Sequence, residues 1–375
     1  MIKVIHTINA FTATTGGTAT CVYDLLRALN DHGDIEADIV VTKPEQAIMG
    51  KGEPWIFSVE NDEKTPFGIS SNLRKELLKS NADVYHTNGL WRYCNHVTAS
   101  VARQKGKPYV ITPHGMLYPQ ALMQSQWQKK LLRCVIFDKD LREAACIHVT
   151  CEEEMQHVRA LGFTNPVAVI ANPIFLPEAM SKVHSDKVSF GYLGRLHPRK
   201  KVERLLDAFA TLSKEEQARC ELVIMGSGDA DYEKFLRAKA ESISNVRFIG
   251  FVEGIEKQKQ LAALSALFVP SDYENFGMIA AEALSCGTPV WASKGTPWQL
   301  LKERECGWWQ EPSVENIVSA MRQILMMSPE ELDKMGAKGR RFVEEFFAAE
   351  TVAQQMTELY KWIVTKQSKP SFVYE

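Results

Sequence analysis

A cluster of positive charge follows a predicted strand near the middle of the chain. Directly after the apolar run Val188–Leu193, the segment GRLHPRKKVER contains the cations Arg195, Arg199, Lys200, Lys201 and Arg204. Arginine offers a planar fork of donors and lysine a mobile point charge, and together they suit a diphosphate. Positive charge at the start of a helix is unfavourable without a bound anion. The cluster therefore predicts an anion site, the alternative being a solvated helix start.

Two glutamates follow another predicted strand. In SDYENFGMIAAEAL, Glu274 precedes a helix predicted to begin near Phe276 or Gly277, and Glu282 lies inside that helix. Amides of Gly277 and Met278 at a helix start can hold a phosphate. Glu282 can accept two hydroxyls of a vicinal diol such as a ribose, and Glu274 can bind hydroxyls of a sugar. The alternatives are a helix-start carboxylate and an exposed helix residue, although the apolar neighbours of Glu282 disfavour exposure.

Further candidates follow predicted strands in the first half of the chain. Gly16 and Gly17 precede a helix predicted to begin at about Ala19, where backbone amides can approach an anion, although an ordinary turn fits equally well. His114 in TPHGM can donate to a substrate oxygen, act as an acid or base, or be structural. His86 in YHTNG is a weaker candidate of the same kind.

One acidic motif is interpreted as structural. Asp229-Ala230-Asp231 spells the Asp-x-Asp of metal–nucleotide sites, but it follows Gly226-Ser227-Gly228 and opens a predicted helix, where Asp is a common cap. No set of His, Asp and Glu has convincing metal-ligand spacing, and there is no Gly-x-Ser-x-Gly elbow. We therefore expect neither a metal nor a cofactor.

Short apolar runs that alternate with helical stretches must position these residues. The predicted strands are Ile2–His6, Asp38–Thr42, Val84–His86, Tyr109–Thr112, Cys146–Val149, Val167–Ile170, Val188–Leu193, Glu221–Met225, Val246–Ile249, Leu267–Val269 and Pro289–Ala292. Near-continuous apolar strands separated by helices indicate parallel sheets covered on both faces. Two such series predict an α/β protein of two doubly wound, Rossmann-like domains. Ligands bind beyond the carboxyl ends of such strands, so we expect the two sheets to face a central cleft.

The domain boundary is expected in Asn172–Lys187, a segment with two prolines and no clear periodicity. We predict an N-terminal domain of residues 1–175, a C-terminal domain of residues 185–345 and a helical tail of residues 346–375. An apolar stripe of the tail recurs at helical spacing: Val352, Met356, Leu359 and Ile363. Whether it packs on its own domain or back on the N-terminal one is left open by periodicity.

Composition excludes several classes of protein. The 375 residues carry a net charge of −2, which argues against a nucleic-acid binder. No apolar run approaches the roughly 18 residues of a membrane span, and the opening apolar stretch is too short for a signal peptide. Eight cysteines without a Cys-x-x-Cys pair fit a reducing compartment. We expect a cytoplasmic protein.

Residues 126–142 form a basic amphipathic segment. Its cations are Lys129, Lys130, Arg133, Lys139 and Arg142. Its apolar face consists of Leu131, Leu132, Val135 and Ile136. Such a helix either packs on its own sheet or lies on an anionic membrane, so peripheral contact with the inner face of the plasma membrane is a hypothesis.

Taken together, these motifs resemble the retaining glycosyltransferases of family four, whose fold is the two-domain GT-B fold. The matching pieces are Gly16-Gly17, TPHGM, GRLHPRK, GSGD, NVRFIGFV, ENFGMIAAEAL and CGTPVWASKGTPW, in the expected order from position 16 to about 310. The combination of TPHGM with KGTPWQ and CGWW is similar to the branch that acts in bacterial polysaccharide assembly.

The resemblance implies a role for each matching residue. The implied catalytic residues are His114, Glu274, Arg195 and Lys200. The implied donor-binding residues are Gly16, Gly17, Arg195, Lys200, Phe251, Val252, Glu274, Phe276, Gly277, Met278 and Glu282. In this scheme Arg195 and Lys200 contact the diphosphate, Glu282 the ribose and Glu274 the donor sugar. The backbone at Phe251 and Val252 holds the base, and His114 lies by the reacting carbon.

Three positions depart from the family pattern. Asn88 stands where a second histidine of the motif His-x-His-Gly is common, Lys201 stands where glycine is frequent, and no acidic residue follows Gly17 closely. The expected activity is retaining, metal-independent transfer of a sugar from a nucleotide diphosphate, UDP-linked by preference. The expected acceptor is a polyprenyl-diphosphate-linked glycan of capsule, exopolysaccharide or O-antigen synthesis. The alternatives are a non-catalytic sugar-nucleotide-binding subunit and an oxidoreductase, and the latter lacks its Gly-x-Gly-x-x-Gly motif.

Overall fold

Two compact units make up the chain. The computed structural model describes residues 1–12, 16–42, 48–63, 65–178 and 185–375. One unit comprises residues 1–173 and 349–375, and the other comprises residues 174–348. The chain passes from one to the other inside the segment expected at the domain boundary, of which residues 179–184 lie outside the described ranges. It then returns, so the last part of the tail belongs to the first unit.

Strands and helices alternate along both units. The strands are β1 (Ile2–Ile8), β2 (Ile35–Thr42), β3 (Ile56–Val59), β4 (Val84–Asn88), β5 (Tyr109–Thr112), β6 (Cys146–Val149), β7 (Val167–Val169), β8 (Val188–Leu193), β9 (Cys220–Met225), β10 (Val246–Gly250), β11 (Ala266–Val269), β12 (Val290–Ser293), β13 (Gly307–Gln310) and β14 (Val373–Tyr374).

The helices are α1 (Gly17–His32), α2 (Ser71–Lys79), α3 (Tyr93–Gln104), α4 (Pro119–Met123), α5 (Gln126–Leu132), α6 (Asp138–Arg142), α7 (Glu152–Ala160), α8 (Val202–Thr211), α9 (Lys214–Ala218), α10 (Ala230–Ala240), α11 (Gly254–Ala262), α12 (Met278–Ser285), α13 (Leu300–Glu303), α14 (Val314–Met326), α15 (Pro329–Phe346) and α16 (Ala349–Thr365). A π-helical turn, Arg133–Phe137, joins α5 to α6, and a 3-10 turn, Pro198–Lys200, precedes α8.

Each unit is built on one sheet. The first has the strand order β14-β7-β6-β5-β4-β1-β2-β3, and the second has the order β10-β9-β8-β11-β12-β13. All pairings are parallel except that of β14 with β7. Helices follow most of the strands in sequence, since neighbouring parallel strands need a long crossover connection. The predicted fold class of two doubly wound α/β domains is confirmed.

The strands that sequence reasoning missed all lie at sheet edges. They are β3, β13 and β14, and each ends the strand order of its sheet. In β3 the two central residues, Phe57 and Ser58, are exposed. An edge strand has a neighbour on one side only, so it need not show the continuous apolar run by which buried parallel strands are recognised.

The tail is helical as far as Thr365 and then ends in a strand. Helix α16 packs against α1, and its apolar stripe is fully covered, with Val352, Met356 and Leu359 all 0% exposed. In β14, Val373 pairs with Ala168 of β7 in antiparallel register. The tail therefore completes the core and the sheet of the first unit.

Candidate functional site

Three loops of the second unit leave the same edge of its sheet. Strand β8 pairs in parallel with both β9 and β11, so the segments after all three strands begin at their shared carboxyl end. The loop after β8 is tied to the loop after β9: Leu196 donates its N–H to the Ser227 carbonyl at 3.0 Å. A Cβ on Gly228 would lie 2.2 Å from the Leu196 oxygen, so this close approach requires glycine.

The Asp-x-Asp motif caps a helix, as predicted. Asp229 is the N-cap of α10, and its carboxylate accepts the N–H of Tyr232 at 2.9 Å. Among the residues that the structure describes, no group of three or more His, Cys, Asp or Glu is placed to hold a metal ion.

Lys200 and Glu274 form a buried ion pair at this edge. Lys200 ends the 3-10 turn after β8, and its Nζ contacts Glu274 Oε1 in the loop after β11. The Ser271 hydroxyl donates to the same oxygen at 2.6 Å. Burial by itself raises the pKa of Glu274, but Lys200, together with the Ser271 hydrogen bond and the Arg199 charge, holds this pKa below its usual value. Glu274 is therefore ionised at neutral pH.

Most of the other cations in the cluster are paired within the chain. Arg204 contacts Asp272 at 2.8 Å, and Lys201 lies 3.6 Å from the same carboxylate. The Arg199 guanidinium lies over the Tyr273 ring, 4.8 Å from its centroid. Arg195 is exposed and has no ion-pair partner among the described residues. The charge of the cluster is thus largely compensated, and Arg195 is left able to bind an anion.

Lys201 has the backbone conformation of a glycine. Its φ is 54°, in the left-handed region, at the junction between the 3-10 turn and α8. Side chains with a Cβ are uncommon there because the Cβ crowds the carbonyl. This backbone geometry explains why glycine is frequent at this position in the resembling family.

The α12 N-terminus lies next to the ion pair. The helix begins at Met278, slightly later than predicted, and Gly277 is its N-cap with φ 77°. A Cβ on Gly277 would lie 3.1 Å from Trp298 Nε1, which itself donates to the Phe276 carbonyl at 2.6 Å. The Phe276 side chain is buried, so its contribution is to fix this loop. The helix start leaves amides available for an anion.

Glu282 is held by a lysine that sequence reasoning missed. Lys257 of α11 contacts Glu282 Oε1 at 3.0 Å, and the Glu282 side chain is 19% exposed. The alternative of an exposed helix residue is therefore wrong. Phe251, 65% exposed, and the half-buried Val252 follow β10 directly. No sequence signal identified Lys257, since lysines on a polar helix such as α11 are ordinary.

The first unit contains the glycine pair. Helix α1 begins at Gly17, two residues earlier than predicted, and Gly16 is its N-cap with φ 95°. A Cβ on Gly16 or Gly17 would meet no atom of the described residues within 4 Å, so that part of the chain leaves the helix start open. Residues 13–15 of the predicted loop lie outside the described residues.

His114 of the first unit is a neutral imidazole. It follows β5 with φ 50°, and its Nε2 lies 3.2 Å from Asn88 Oδ1. Burial lowers the pKa of His114 to about 3, and His148 contributes in the same direction. The adjacent Gly115 N–H donates to the buried carboxylate of Glu154, another residue missed from sequence. A general-acid role through an imidazolium is therefore disfavoured at neutral pH.

The weaker candidate, His86, cannot meet a substrate directly. It is 0% exposed and hydrogen-bonds Tyr360 and Thr112 inside the first unit. Its pKa lies well below the usual value because of burial, so it too is neutral. The structure thus assigns His86 to a buried polar network instead of a ligand-facing position.

Comparisons with known proteins match a family model to each of the two units. A sequence model described as glycosyl transferases group 1 matches residues 178–342, and one described as a glycosyl transferase 4-like domain matches residues 16–173. The MMP α-(1→4)-mannosyltransferase of Mycolicibacterium hassiacum is 30% identical over 171 residues, 45% of this chain and 41% of that protein. The chain spans about half or less of the length of the curated relatives it matches.

Solved structures share the fold. Sucrose-phosphate synthase from Thermosynechococcus elongatus has a TM-score of 0.77 at 22% identity, covering 97% of this chain and 100% of that one. HepE of Anabaena in complex with UDP-glucose has a TM-score of 0.76 at 18% identity, covering 96% and 99%. The likeness shows that this chain has the GT-B fold, with one parallel-sheet α/β domain in each unit. Since the two family models match consecutive segments, each within one unit, the chain belongs to the group 1, family four glycosyltransferases.

Proposed function

We propose that this protein transfers a sugar from a nucleotide diphosphate donor to a glycan acceptor, with retention of anomeric configuration and without a metal. The observation that carries the proposal is the buried Lys200–Glu274 pair beside the α12 N-terminus. Cationic and amide groups at one edge suit a diphosphate, and an ionised carboxylate suits the hydroxyls of a sugar.

The proposed chemistry follows from these charges. Departure of the diphosphate from the anomeric carbon builds negative charge on the leaving group. Arg195, Lys200 and the amides at Gly277 and Met278 stabilise that charge more strongly as it grows, which lowers the barrier. The same groups supply the positive charge for which other enzymes use a divalent cation. Glu282, held in place by Lys257, accepts the ribose hydroxyls.

A UDP-linked donor is favoured. HepE, which shares the fold, is bound to UDP-glucose, and this supports a UDP-linked donor. The Mycolicibacterium relative is named a mannosyltransferase, so the sugar itself differs among similar proteins. Phe251 and Val252 follow β10 in the position proposed for the base. His114, neutral and partly buried, is proposed to contact the donor sugar near the reacting carbon.

Thermal unfolding with a panel of UDP, GDP and dTDP, and of their sugar conjugates, tests the donor site. A bound donor raises the midpoint by mass action. We expect the largest rise with UDP-linked donors, and the same rise in the presence of EDTA. A rise that EDTA abolishes would contradict metal independence, and the absence of a rise with every nucleotide would contradict the donor site itself.

Release of nucleotide diphosphate separates an enzyme from the alternative, a non-catalytic binding subunit. We expect purified protein to release UDP in the presence of a polyprenyl-diphosphate-linked acceptor, and the anomeric proton coupling of the product to match that of the donor. Thermal stabilisation by a donor without release under any acceptor condition would favour the binding subunit. An inverted anomeric coupling would contradict retention.

We also propose that the acceptor is reached at a membrane surface, on the inner face of the plasma membrane. In the segment 126–142, Leu132 and Ile136 pack on the core of the first unit. Trp127, Leu131 and Val135 instead face outward, with 80%, 66% and 67% of their surfaces exposed. Three cations flank them in exposed positions: Lys130, Lys139 and Arg142. Exposed apolar groups flanked by cations are typical of helices that bind anionic lipid. No helix among the described residues is long and apolar enough to cross a bilayer.

Vesicle sedimentation tests this surface. We expect the protein to bind vesicles containing anionic phosphatidylglycerol, and Trp127→Ala/Leu131→Ala to weaken binding at least about tenfold because apolar area and anchoring are lost. The matched control is Met326→Ala, which removes an apolar side chain that is 83% exposed in the second unit. Equal binding by all three proteins, or equal binding to neutral vesicles, would contradict the proposal.

A further inference from the structure

A continuous chain of buried hydrogen bonds runs through the first unit and ends on His114. From the far end, its members are His148, Thr112, His86, Tyr360, His6 and Asn88. Each member is hydrogen-bonded to the next. The bond lengths are 2.8 Å for His148–Thr112, 2.6 Å for Thr112–His86, 2.7 Å for His86–Tyr360, 3.1 Å for Tyr360–His6 and 3.3 Å for His6–Asn88. The last bond joins Asn88 Oδ1 to His114 Nε2 at 3.2 Å. Every member except His114 is at most 3% exposed.

The far end of the chain determines the direction of each bond. His148 Nε2 lies 2.9 Å from the Ile170 carbonyl, which can only accept, so Nε2 carries the proton. Nδ1 of a neutral His148 is then an acceptor, and the Thr112 hydroxyl must donate to it. Thr112 therefore accepts from His86 Nε2. His86 Nδ1 is left to accept from the Tyr360 hydroxyl.

The near end gives the same direction independently. Asn88 Nδ2 lies 3.2 Å from the Thr7 carbonyl, another obligate acceptor, which fixes the orientation of the amide. Its second proton goes to His6 Nδ1, so His6 donates through Nε2 to the Tyr360 oxygen. Asn88 Oδ1 then faces His114 and must accept from it. Two carbonyls at opposite ends thus impose one consistent polarity on the chain.

We propose that Asn88 and Tyr360 are positioning residues for His114. The hydrogen-bond chain to which they belong holds the His114 imidazole as the Nε2–H tautomer. Its Nδ1 then meets a substrate as a hydrogen-bond acceptor. The role of His114 toward a substrate rests on the proposed function, whereas its tautomer does not. Nδ1 has no hydrogen-bond partner among the described residues. A hydroxyl of the substrate is the chemistry that an unprotonated imidazole nitrogen recognises.

Two residues shape this hydrogen-bond chain. Asn88 occupies the position where the resembling family commonly has a histidine, and its amide offers both a donor for Thr7 and an acceptor for His114. Tyr360 belongs to α16, so the C-terminal tail closes the middle of the chain. Burial lowers the pKa of His6 to about 3 and that of His148 to about 4, which keeps both in the neutral form that the polarity requires.

Nitrogen NMR reads the tautomers directly. In protein labelled with 15N-histidine, long-range proton–nitrogen correlations distinguish Nδ1–H from Nε2–H, and single histidine variants assign the signals. We expect His6, His86, His114 and His148 all to be neutral Nε2–H tautomers at pH 7. A protonated Nδ1 on His114 would overturn the proposal. This readout needs no substrate, so it remains decisive if sugar transfer is not observed.

Asn88→Asp tests the positioning by its pH profile. A carboxylate beside Nε2 favours the doubly protonated imidazolium, which raises the pKa of His114 and removes the acceptor at Nδ1. The other titratable groups around His114 are His148, His86 and the Glu154 carboxylate on the adjoining Gly115. We expect kcat of the variant to fall tenfold per pH unit below a new inflection between about pH 6 and 8, with none in the wild type above about pH 5. Identical profiles would overturn the proposal.

Tyr360→Phe tests the tail, with Tyr85→Phe as its matched control. Tyr85 is equally buried but donates to the Leu77 carbonyl, outside the chain. We expect Tyr360→Phe to lower kcat about tenfold and to leave KM for the nucleotide unchanged. A misplaced His114 imidazole slows the reaction but does not weaken binding of the donor nucleotide. Tyr85→Phe should lower stability alone. If both variants kept the kcat of the wild type, or if both lost kcat to the same extent, Tyr360 would be merely structural.

Discussion

Lys200→Met is expected to lower kcat for sugar transfer about a thousandfold, the largest single effect that the site predicts. The ammonium group is placed to stabilise negative charge as the diphosphate leaves, and a buried site strengthens that interaction relative to water. The Lys200 and Glu274 side chains are only 16% and 9% exposed. Steady-state rates of donor turnover, measured at saturating acceptor, check the expectation.

The same substitution also destabilises the second unit, and the two effects must be separated. Removing Lys200 leaves the Glu274 carboxylate buried without its partner, which typically costs about 3–5 kcal/mol. The double variant Lys200→Met/Glu274→Gln removes both charges. We expect it to regain most of the free energy of unfolding while its rate stays low. Recovery of the rate together with stability would mean that the pair is structural.

Arg204→Met is the matched control for charge in the same cluster. Arg204 pairs with Asp272 and donates to the Pro270 carbonyl, so its cation is already used within the chain. We expect its kcat to stay within about threefold of the wild type, because this partly exposed cation already has a protein carboxylate as its partner and such a pair contributes little. An equal loss in both single variants would indicate a general effect of positive charge on donor attraction.

Acidification from pH 6.5 to 5.5 is expected to cost the first unit about 4 kcal/mol of unfolding free energy through four histidines whose pKa burial lowers: His6, His86, His114 and His148. His6, His86 and His148 are at most 3% exposed, and burial holds each pKa far below that of an unfolded chain. Below about pH 6.5 the unfolded imidazoles bind protons that the folded ones do not. Stability from these groups is therefore present above that pH and is lost as the pH falls.

Hydrogen exchange in the two units supplies the control within one molecule. In the described part of the second unit, the histidine is His197, which is partly exposed. After correction for intrinsic exchange rates, we expect protection of β1, β4 and β6 to fall between pH 6.5 and 5.5, while that of β8 and β9 changes little. A similar loss in both sheets would assign acid sensitivity to other groups.

The positions of the site residues follow from sequence because the signals are local. A run such as Val188–Leu193 indicates a buried parallel strand, and ligands of such sheets lie beyond the strand ends. Strand-end position alone therefore places Arg195, Lys200 and Glu274 at one edge of the sheet. The Asp229 cap is equally legible, since capping involves residues three positions apart.

The partners of these residues were decided by tertiary structure. Lys200 and Glu274 are 74 positions apart, and His86 and Tyr360 are 274 apart, so no periodicity links them. The helical stripe of α16 showed that it must pack, but its partner α1 is known only from the fold. Strand and helix patterns report which face of an element is buried, whereas the chemistry of a site depends on which distant side chains fill that space. Sequence alone thus determined the architecture and the edges that bear charge, and the fold determined which charges are paired, which histidines are neutral and which residue holds His114.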